Sequence, residues 1–251
     1  MMRYKRVWIT GDTHGDFDWL SSWCHQEQTN KDEDLLIILG DSGIMYYGQY
    51  REREKNLKSI IQKCPITLLC VRGNHDARPS SYDNIQFVEL ESDPCVPSGY
   101  YYESDYPNIW YIADGSTINI NNKHCLFIGG AYSIDKEYRQ MVGWRWFEDE
   151  ELTRAEQMDI LDKVDHHRFD YVFTHTCPYD WMPRDLFMKS IDQSKVSNDM
   201  EHFLTTVSEI IDFDIWYFGH YHADRHNIAI DKTHPGQGEV HMLYGAIERL
   251  I

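Results

Sequence analysis

The chain has no uninterrupted apolar run near the ~18 residues that a membrane helix needs, and its start, "MMRYKRVWIT", lacks a signal-peptide hydrophobic region. Basic residues are scarce: 24 Lys and Arg stand against 41 Asp and Glu, a formal net charge of -17. That balance disfavours a surface built to grip long nucleic acid, which needs fields of Lys and Arg to release counterions. It leaves room for a small anionic substrate, because bound metals or a few arginines reverse the sign locally. The six cysteines (Cys24, Cys64, Cys70, Cys95, Cys125, Cys177) contain no CxxC pair and read as thiols of a reducing cytoplasm. With no Pro/Gly/Ser-rich linker, no repeat and no shift in composition, the 251 residues are expected to form one domain, 1–251.

What is present is a globular composition, 42% apolar and 14% aromatic, and a patterned first third. Strands "RVWIT", "DLLIILG" and "ITLLCVRG" alternate with helical stretches near 17–28 and 49–63. Leu35 to Leu39 are apolar at successive positions, which buries both faces of the strand and points to a parallel sheet with right-handed crossovers. The middle runs, "NIQFVEL", "NIWYIADGSTINI" and "KHCLFIGGAY", have no long helix between them, so a second, more antiparallel sheet is expected there. Helical patterns return near 153–167 and 198–212, alternating with "FDYVFTH" and "FDIWYFGH" before the closing "VHMLYGAI". The class is α/β with two sheets.

Five apolar strands end alike. They run into "GDTHG" (Asp12, His14), "GDSG" (Asp41), "RGNHD" (Asn74, His75), "THTCP" (His175) and "GHYH" (His220, His222). Each alone reads as a turn or a cap. Five together at strand carboxyl ends, where α/β sheets bind ligands, read as one site. Asp12, His14, Asp41, Asn74, His175, His220 and His222 offer carboxylate, amide and imidazole donors, a mix that suits Mn, Fe or Zn and not a soft-metal site. Seven donors exceed one tetrahedral zinc, whereas two divalent ions ~3.5–4 Å apart would use them all.

The ordered set Asp-x-His, Gly-Asp, Gly-Asn-His-Asp, His, Gly-His-x-His, from Asp12 to His222, resembles the calcineurin-like metallophosphoesterase superfamily. The resemblance implies a four-layer αββα sandwich with two mixed β-sheets. It also implies a dinuclear phosphoester hydrolase with Asp12, His14 and His222 on one metal, Asn74, His175 and His220 on the other, and Asp41 bridging. Hydroxide from a water shared by the metals, Mn favoured, would attack phosphorus, and His75 would protonate the leaving oxygen. The branch that dephosphorylates proteins continues Gly-Asp into a second acid and arginine, and has Glu after Gly-Asn-His. Here Ile44 stands at the acid's place and Asp76 replaces the glutamate. That favours a phosphodiesterase acting on a nucleotide-like or small phosphoester. A phosphomonoesterase is the alternative, and a catalytically silent scaffold, which expects a lost ligand or a replaced His75, is the third reading.

Two segments between the motifs, near 132–152 and 178–198, are candidate caps. The first carries Tyr132, Arg139, Trp144, Arg145 and Trp146; its arginines and aromatics either clamp a phosphate and stack a base or pack beneath the sheet. Arg139, Arg145, Tyr46 and Arg184 are the candidate substrate-binding residues, with Tyr47 and Lys189 near them. Arg72 reads as a structural ion pair, Asp76 as a structural loop residue, and Cys177 as no nucleophile. No membrane partner is expected.

Overall fold

The computed structural model describes residues 1–91 and 96–251, so Cys95 lies outside the described residues. Strands β1 (Arg6–Thr10), β2 (Asp34–Ile38) and β3 (Thr67–Cys70) pair in parallel, with helices α1 (Leu20–Glu27) and α2 (Glu52–Gln62) in the crossovers. The continuous apolar runs are buried on both faces, as their sequence requires. Val7, Ile9, Leu35, Ile37 and Leu39 point to one side, while Trp8, Leu36 and Ile38 point to the other, against Leu20, Cys24 and Ile61.

The middle strands divide between two sheets and do not form a separate antiparallel one. β4 (Ile85–Glu91), β5 (Ser98–Glu103) and β6 (Ile109–Ile112) extend the first sheet in the order β3-β6-β5-β4. Apolarity sorts that order: β6 is mostly buried and pairs with β3, whereas the half-exposed, glutamate-bearing β4 takes the edge, where charge discourages pairing with another chain. The Asp114–Gly115 turn, with Gly115 at φ 77°, then carries the chain into the second sheet. Strands β7 (Ser116–Ile120) and β8 (Lys123–Ile128) form a hairpin there. Asn121 and Asn122, at φ 52° and 63°, close it with the left-handed pair that a tight hairpin favours.

The rest of the second sheet is parallel: β8, β9 (Arg168–Thr174), β10 (Asp212–Phe218) and β11 (Gln237–Met242). The short β12 (Ile247–Arg249) returns antiparallel to β1, so both sheets are mixed. Helices α4 (Arg154–Val164) and α5 (Asp199–Ile210) cover the outer face of the second sheet through Ile160, Val164, Phe203, Leu204 and Val207. α4 starts with a capping box between Thr153 and Glu156. Between the sheets lie Val7, Ile9, Ile37, Phe127, Phe173 and Tyr217. The result is helices, sheet, sheet, helices: the αββα sandwich. Among the described residues no helix is long and apolar enough to cross a membrane.

Helix α2 packs with an ionic group inside. Lys58 Nζ donates to Glu54 Oε1 at 2.8 Å and to Glu103 Oε1 at 2.5 Å, and Tyr82 donates its hydroxyl to Glu54 at 2.7 Å. The Lys58, Glu54 and Glu103 side chains are 1%, 0% and 4% exposed. Removing the cation alone leaves two carboxylates facing each other out of water, so Lys58→Ala should lower stability to urea by about 3–5 kcal/mol. A loss below about 1 kcal/mol, the scale of a surface pair, would show that the triad is not needed.

Candidate metal centre

β1, β2 and β3 are neighbours in one sheet, and β9 and β10 are neighbours in the other, so five carboxyl ends open onto one edge of the sandwich. The loops that follow are bent hard. His14, Asp41, His220 and His222 all have left-handed backbones, at φ 47°, 44°, 68° and 52°. Such conformations are uncommon for residues other than glycine and gather where function over-determines the backbone. Two glycines permit the crowding. A Cβ on Gly40 would lie 2.1 Å from His175 Nδ1, and one on Gly219 would lie 2.4 Å from Asp12 Oδ1.

Two groups of donor atoms result, Asp12–His14–His222 and Asp12–Asp41–His175, the atoms of each within 4.8 Å of one another. In the first, His14 Nε2 and His222 Nε2 lie 2.8 Å apart, and 3.8 and 3.4 Å from Asp12 Oδ2. That oxygen is buried without a hydrogen-bond partner, whereas Asp12 Oδ1 accepts the His220 N–H at 2.9 Å. In the second, Asp41 Oδ1 lies 3.6 Å from His175 Nε2. His220 sets its ring edge-on to His175, centroids 4.9 Å apart. Both groups combine imidazole and carboxylate donors, and an orphaned buried carboxylate oxygen between lone pairs is what a cation would satisfy, so the residues fit a pair of divalent ions.

The second group is held by hydrogen bonds of fixed polarity. His175 Nδ1 lies 2.8 Å from the Leu39 carbonyl, which only accepts, so Nδ1 carries the proton and Nε2 presents its lone pair. Nε2 faces Asn74 Oδ1 at 2.9 Å. The Asn74 amide cannot turn to relieve this, because its NH2 donates to Ser133 Oγ at 2.9 Å and Ser133 in turn donates to the buried Glu150 carboxylate at 2.5 Å. With the His175 ring neutral, two acceptors face each other across a hydrogen-bond distance, again a place for positive charge, whether a proton on Nε2 or a metal ion.

Electrostatics follow from the crowding. Burial works against ionising Asp41, but positive charge on His175, His75 and His14 when they are protonated, together with the His75 N–H that Oδ1 accepts at 2.8 Å, holds its carboxyl well below the usual range. Loss of hydration pushes His14 down and His220 far down. The Asp12 carboxylate holds His222 above the ordinary histidine value. Asp76 ties the loops together: its Oδ2 accepts the N–H groups of Ser42 and Gly73, and its Oδ1 those of Gly43 and the Ser42 hydroxyl, all at 3.1–3.2 Å. Burial, then the Asp41 charge, push it up to about 6. Arg72 is a buried ion pair with Asp114, at 2.8 Å.

His75 borders the centre, with Nε2 3.7 Å from Asp41 Oδ2. Arg139 reaches it from α3 (Lys136–Val142): Nη2 lies 3.1 Å from His75 Nε2, Nε donates to Asp135 at 2.7 Å, and Nη1 donates to the Tyr46 hydroxyl at 3.2 Å. Arg139 and Tyr46 therefore come to the site, and two other candidates do not. Arg145 donates to the Tyr47 carbonyl at 2.9 Å and lies over Phe147. Arg184 donates to the Tyr179 carbonyl at 3.0 Å and lies over that ring. Trp144 is not packed beneath the sheet: α3 forms a separate turn, leaving Trp144 57% exposed and edge-on to Tyr138.

A cleft of about 430 Å³ adjoins Asp41, Asn74, His75, His220 and His222. Residues 182–198 supply one wall, joined to the β10–β11 connection by an exposed two-point ion pair of Asp185 and Arg225 with contacts of 3.0 and 2.6 Å. Sequence reasoning missed Ser133, Glu150, this ion pair, Tyr244 stacked on His222 at 4.8 Å, and Glu201. Only Glu201 left a signal, as an acid within the apolar stripe Met200, Phe203, Leu204, Val207 of α5.

A two-sheet sandwich with carboxylate, amide and imidazole donors converging at parallel strand ends defines a metal-dependent hydrolase scaffold. Residues 5–224 match the family model described as calcineurin-like phosphoesterase. The chain belongs to that family, whose members are metal-dependent hydrolases. No curated protein matches it. Among solved structures, one chain at 15% identity and TM-score 0.48 covers 95% of this chain and 89% of its own. Phosphopantetheinyl hydrolase (PptH) from Mycobacterium tuberculosis is similar at 13% identity and TM-score 0.42, covering 95% and 88%. A protein of unknown function, AQ665 from Aquifex aeolicus, is similar at 14% identity and TM-score 0.25, covering 68% and 80%.

Asp76→Ala frees both loops, and calorimetric titration with Mn should show affinity weakened about 10- to 100-fold, the usual effect of losing a group that orients ligands; unchanged affinity would deny it that role. Glu201 gives a pH signature. Burial pushes it up from 4.5 to about 7, so the folded chain holds that proton more tightly than the unfolded one. Its contribution is complete below pH 4.5 and is lost as pH rises through about 7. Glu201→Gln should flatten that descent, shifting the stability difference in the variant's favour by about 3 kcal/mol. An unchanged pH profile would contradict the assignment.

Proposed function

We propose that the chain is a dinuclear metal-dependent phosphodiesterase acting on a nucleotide-like or small phosphoester, formed as one domain over residues 1–251 with segments near 132–152 and 178–198 as caps. The reading gives Asp12, His14 and His222 to one ion and Asn74, His175 and His220 to the other, with Asp41 between them and Mn preferred over Fe or Zn. The observation that carries it is the partnerless Asp12 Oδ2, buried beside His14 Nε2 and His222 Nε2.

Bound divalent ions supply an acidified water as nucleophile and neutralise phosphoryl oxygens. The protein's own residues do the rest. Asp12, Asp41 and the imidazole lone pairs set where the ions lie. Asn74, locked by Ser133 and Glu150, offers its amide oxygen rather than its NH2. His75 lines the cleft and would give a proton to the leaving oxygen once protonated at Nε2, with Arg139 Nη2 turned from that atom toward the substrate. Arg139, fixed by Asp135 and Tyr46, brings a permanent positive charge to His75, where the leaving oxygen gains negative charge.

With Mn present, bis(p-nitrophenyl) phosphate should be hydrolysed faster than p-nitrophenyl phosphate, and inertness of the Mn-loaded protein on both would overturn the reading. His75→Ala should cost about 10²- to 10⁴-fold in kcat on an alkyl leaving group and far less on p-nitrophenolate, which leaves without a proton. Equal losses on the two would remove His75 from the acid role.

A further inference from the structure

The cleft beside the metal centre is chemically lopsided. Its wall away from the centre is mostly apolar, formed by Ile134, Met182, Leu186, Phe187, Met188 and Val196, with the uncharged Gln193, Ser197 and Asn198 beside them. Ile134, Leu186 and Met188 are 43%, 39% and 55% exposed, and they lie together along one cleft rather than singly on the surface. Among the described residues no lysine or arginine lines the cleft; Arg139 stops at His75, and its charge is matched by Asp135. About 430 Å³ is room enough for a small organic ligand.

One polar group stands out in that wall. Glu201 is 4% exposed and accepts the Thr176 hydroxyl with Oε1 at 2.7 Å, while Oε2 is buried without a partner. Of the acids that line the cleft, Asp41 belongs to the metal centre and Asp135 is paired with Arg139, which leaves Glu201 to meet a ligand. A buried carboxyl oxygen with no donor costs stability, and a hydrogen-bond donor on a ligand would recover it.

We propose that this cleft seats the organic group of the phosphoester, and that this group is an uncharged, largely apolar chain or ring carrying a hydrogen-bond donor for Glu201. The inference rests on the phosphoesterase reading, because continuity with the metal centre is what makes the occupant part of the substrate. It excludes polyphosphates, which would lay further negative charge along an apolar wall in a chain of net charge -17.

The test uses the Mn-loaded protein and alkyl p-nitrophenyl phosphodiesters from methyl to octyl, which share one chromophore. The expected result is a rise in kcat/KM of about two- to fourfold per methylene over the first few, levelling when the cleft is full. A hydroxyl at the end of a chain of fitting length should raise kcat/KM further in the wild type and not in Glu201→Met. In Leu186→Asp the ratio of octyl to methyl ester should fall toward one. A flat series in the wild type, or a nucleoside diphosphate ester preferred over the octyl ester, overturns the apolar seat. An undiminished hydroxyl effect in Glu201→Met overturns the role of Glu201. If no ester is hydrolysed, the phosphoesterase reading has failed by itself, and calorimetry with alkylphosphonates on the Mn-loaded protein decides this one: Kd falling with chain length supports the seat, and constant Kd refutes it.

Discussion

The Nδ1 proton of His175, donated to the Leu39 carbonyl at 2.8 Å, joins the two sheets and decides what the centre between them can be. Leu39 directly follows β2, and His175 directly follows β9. The bond leaves Nε2 without a proton and aims it at Asn74 Oδ1, whose polarity is set by Ser133 and Glu150. From that point outward, each neighbouring group has its acceptor side turned inward. Asp41, Asp12, His14 and His222 complete the group of donor atoms, and among them Asp12 Oδ2 is buried with no protein donor. In a medium drier than water such an arrangement is costly unless positive charge enters.

Only a rigid frame can keep that arrangement. The cores on both faces of each sheet hold the strand ends in register, and the strain is taken up in the loops, where His14, Asp41, His220 and His222 have left-handed backbones. Asp76 opposes the loops' tendency to relax by accepting from both the β2 and β3 turns. The outer parts of the site are held differently. Residues 182–198 lie in short turns, tied to the rest by the stacking of Phe187 on Tyr221, the Ser197–Glu151 hydrogen bond and the exposed Asp185–Arg225 pair.

Much of this was legible in the chain. Apolar runs on successive residues gave the parallel strands, because burial on both faces leaves no alternation. The donors were legible because each follows such a run. Strands β4 and β6 were placed in the wrong sheet, since period and composition describe a strand's faces and not its neighbour. The conformations of His14 and Asp41 were hidden because nothing local marks a strained non-glycine residue. Ser133 and Glu150 act at a distance in sequence, through Asn74, and their types carry no signal. Arg145 and Arg184 show the converse: a basic residue beside a motif often ends on a backbone carbonyl, here those of Tyr47 and Tyr179.

The central claim is that the inward-facing lone pairs exist to hold two cations side by side. Electron paramagnetic resonance of the chain titrated with Mn tests it most directly. The account predicts about two Mn per chain and, as the second enters, the spectrum of an exchange-coupled pair replacing that of the isolated ion. A single uncoupled Mn at saturation, or none retained, would contradict it.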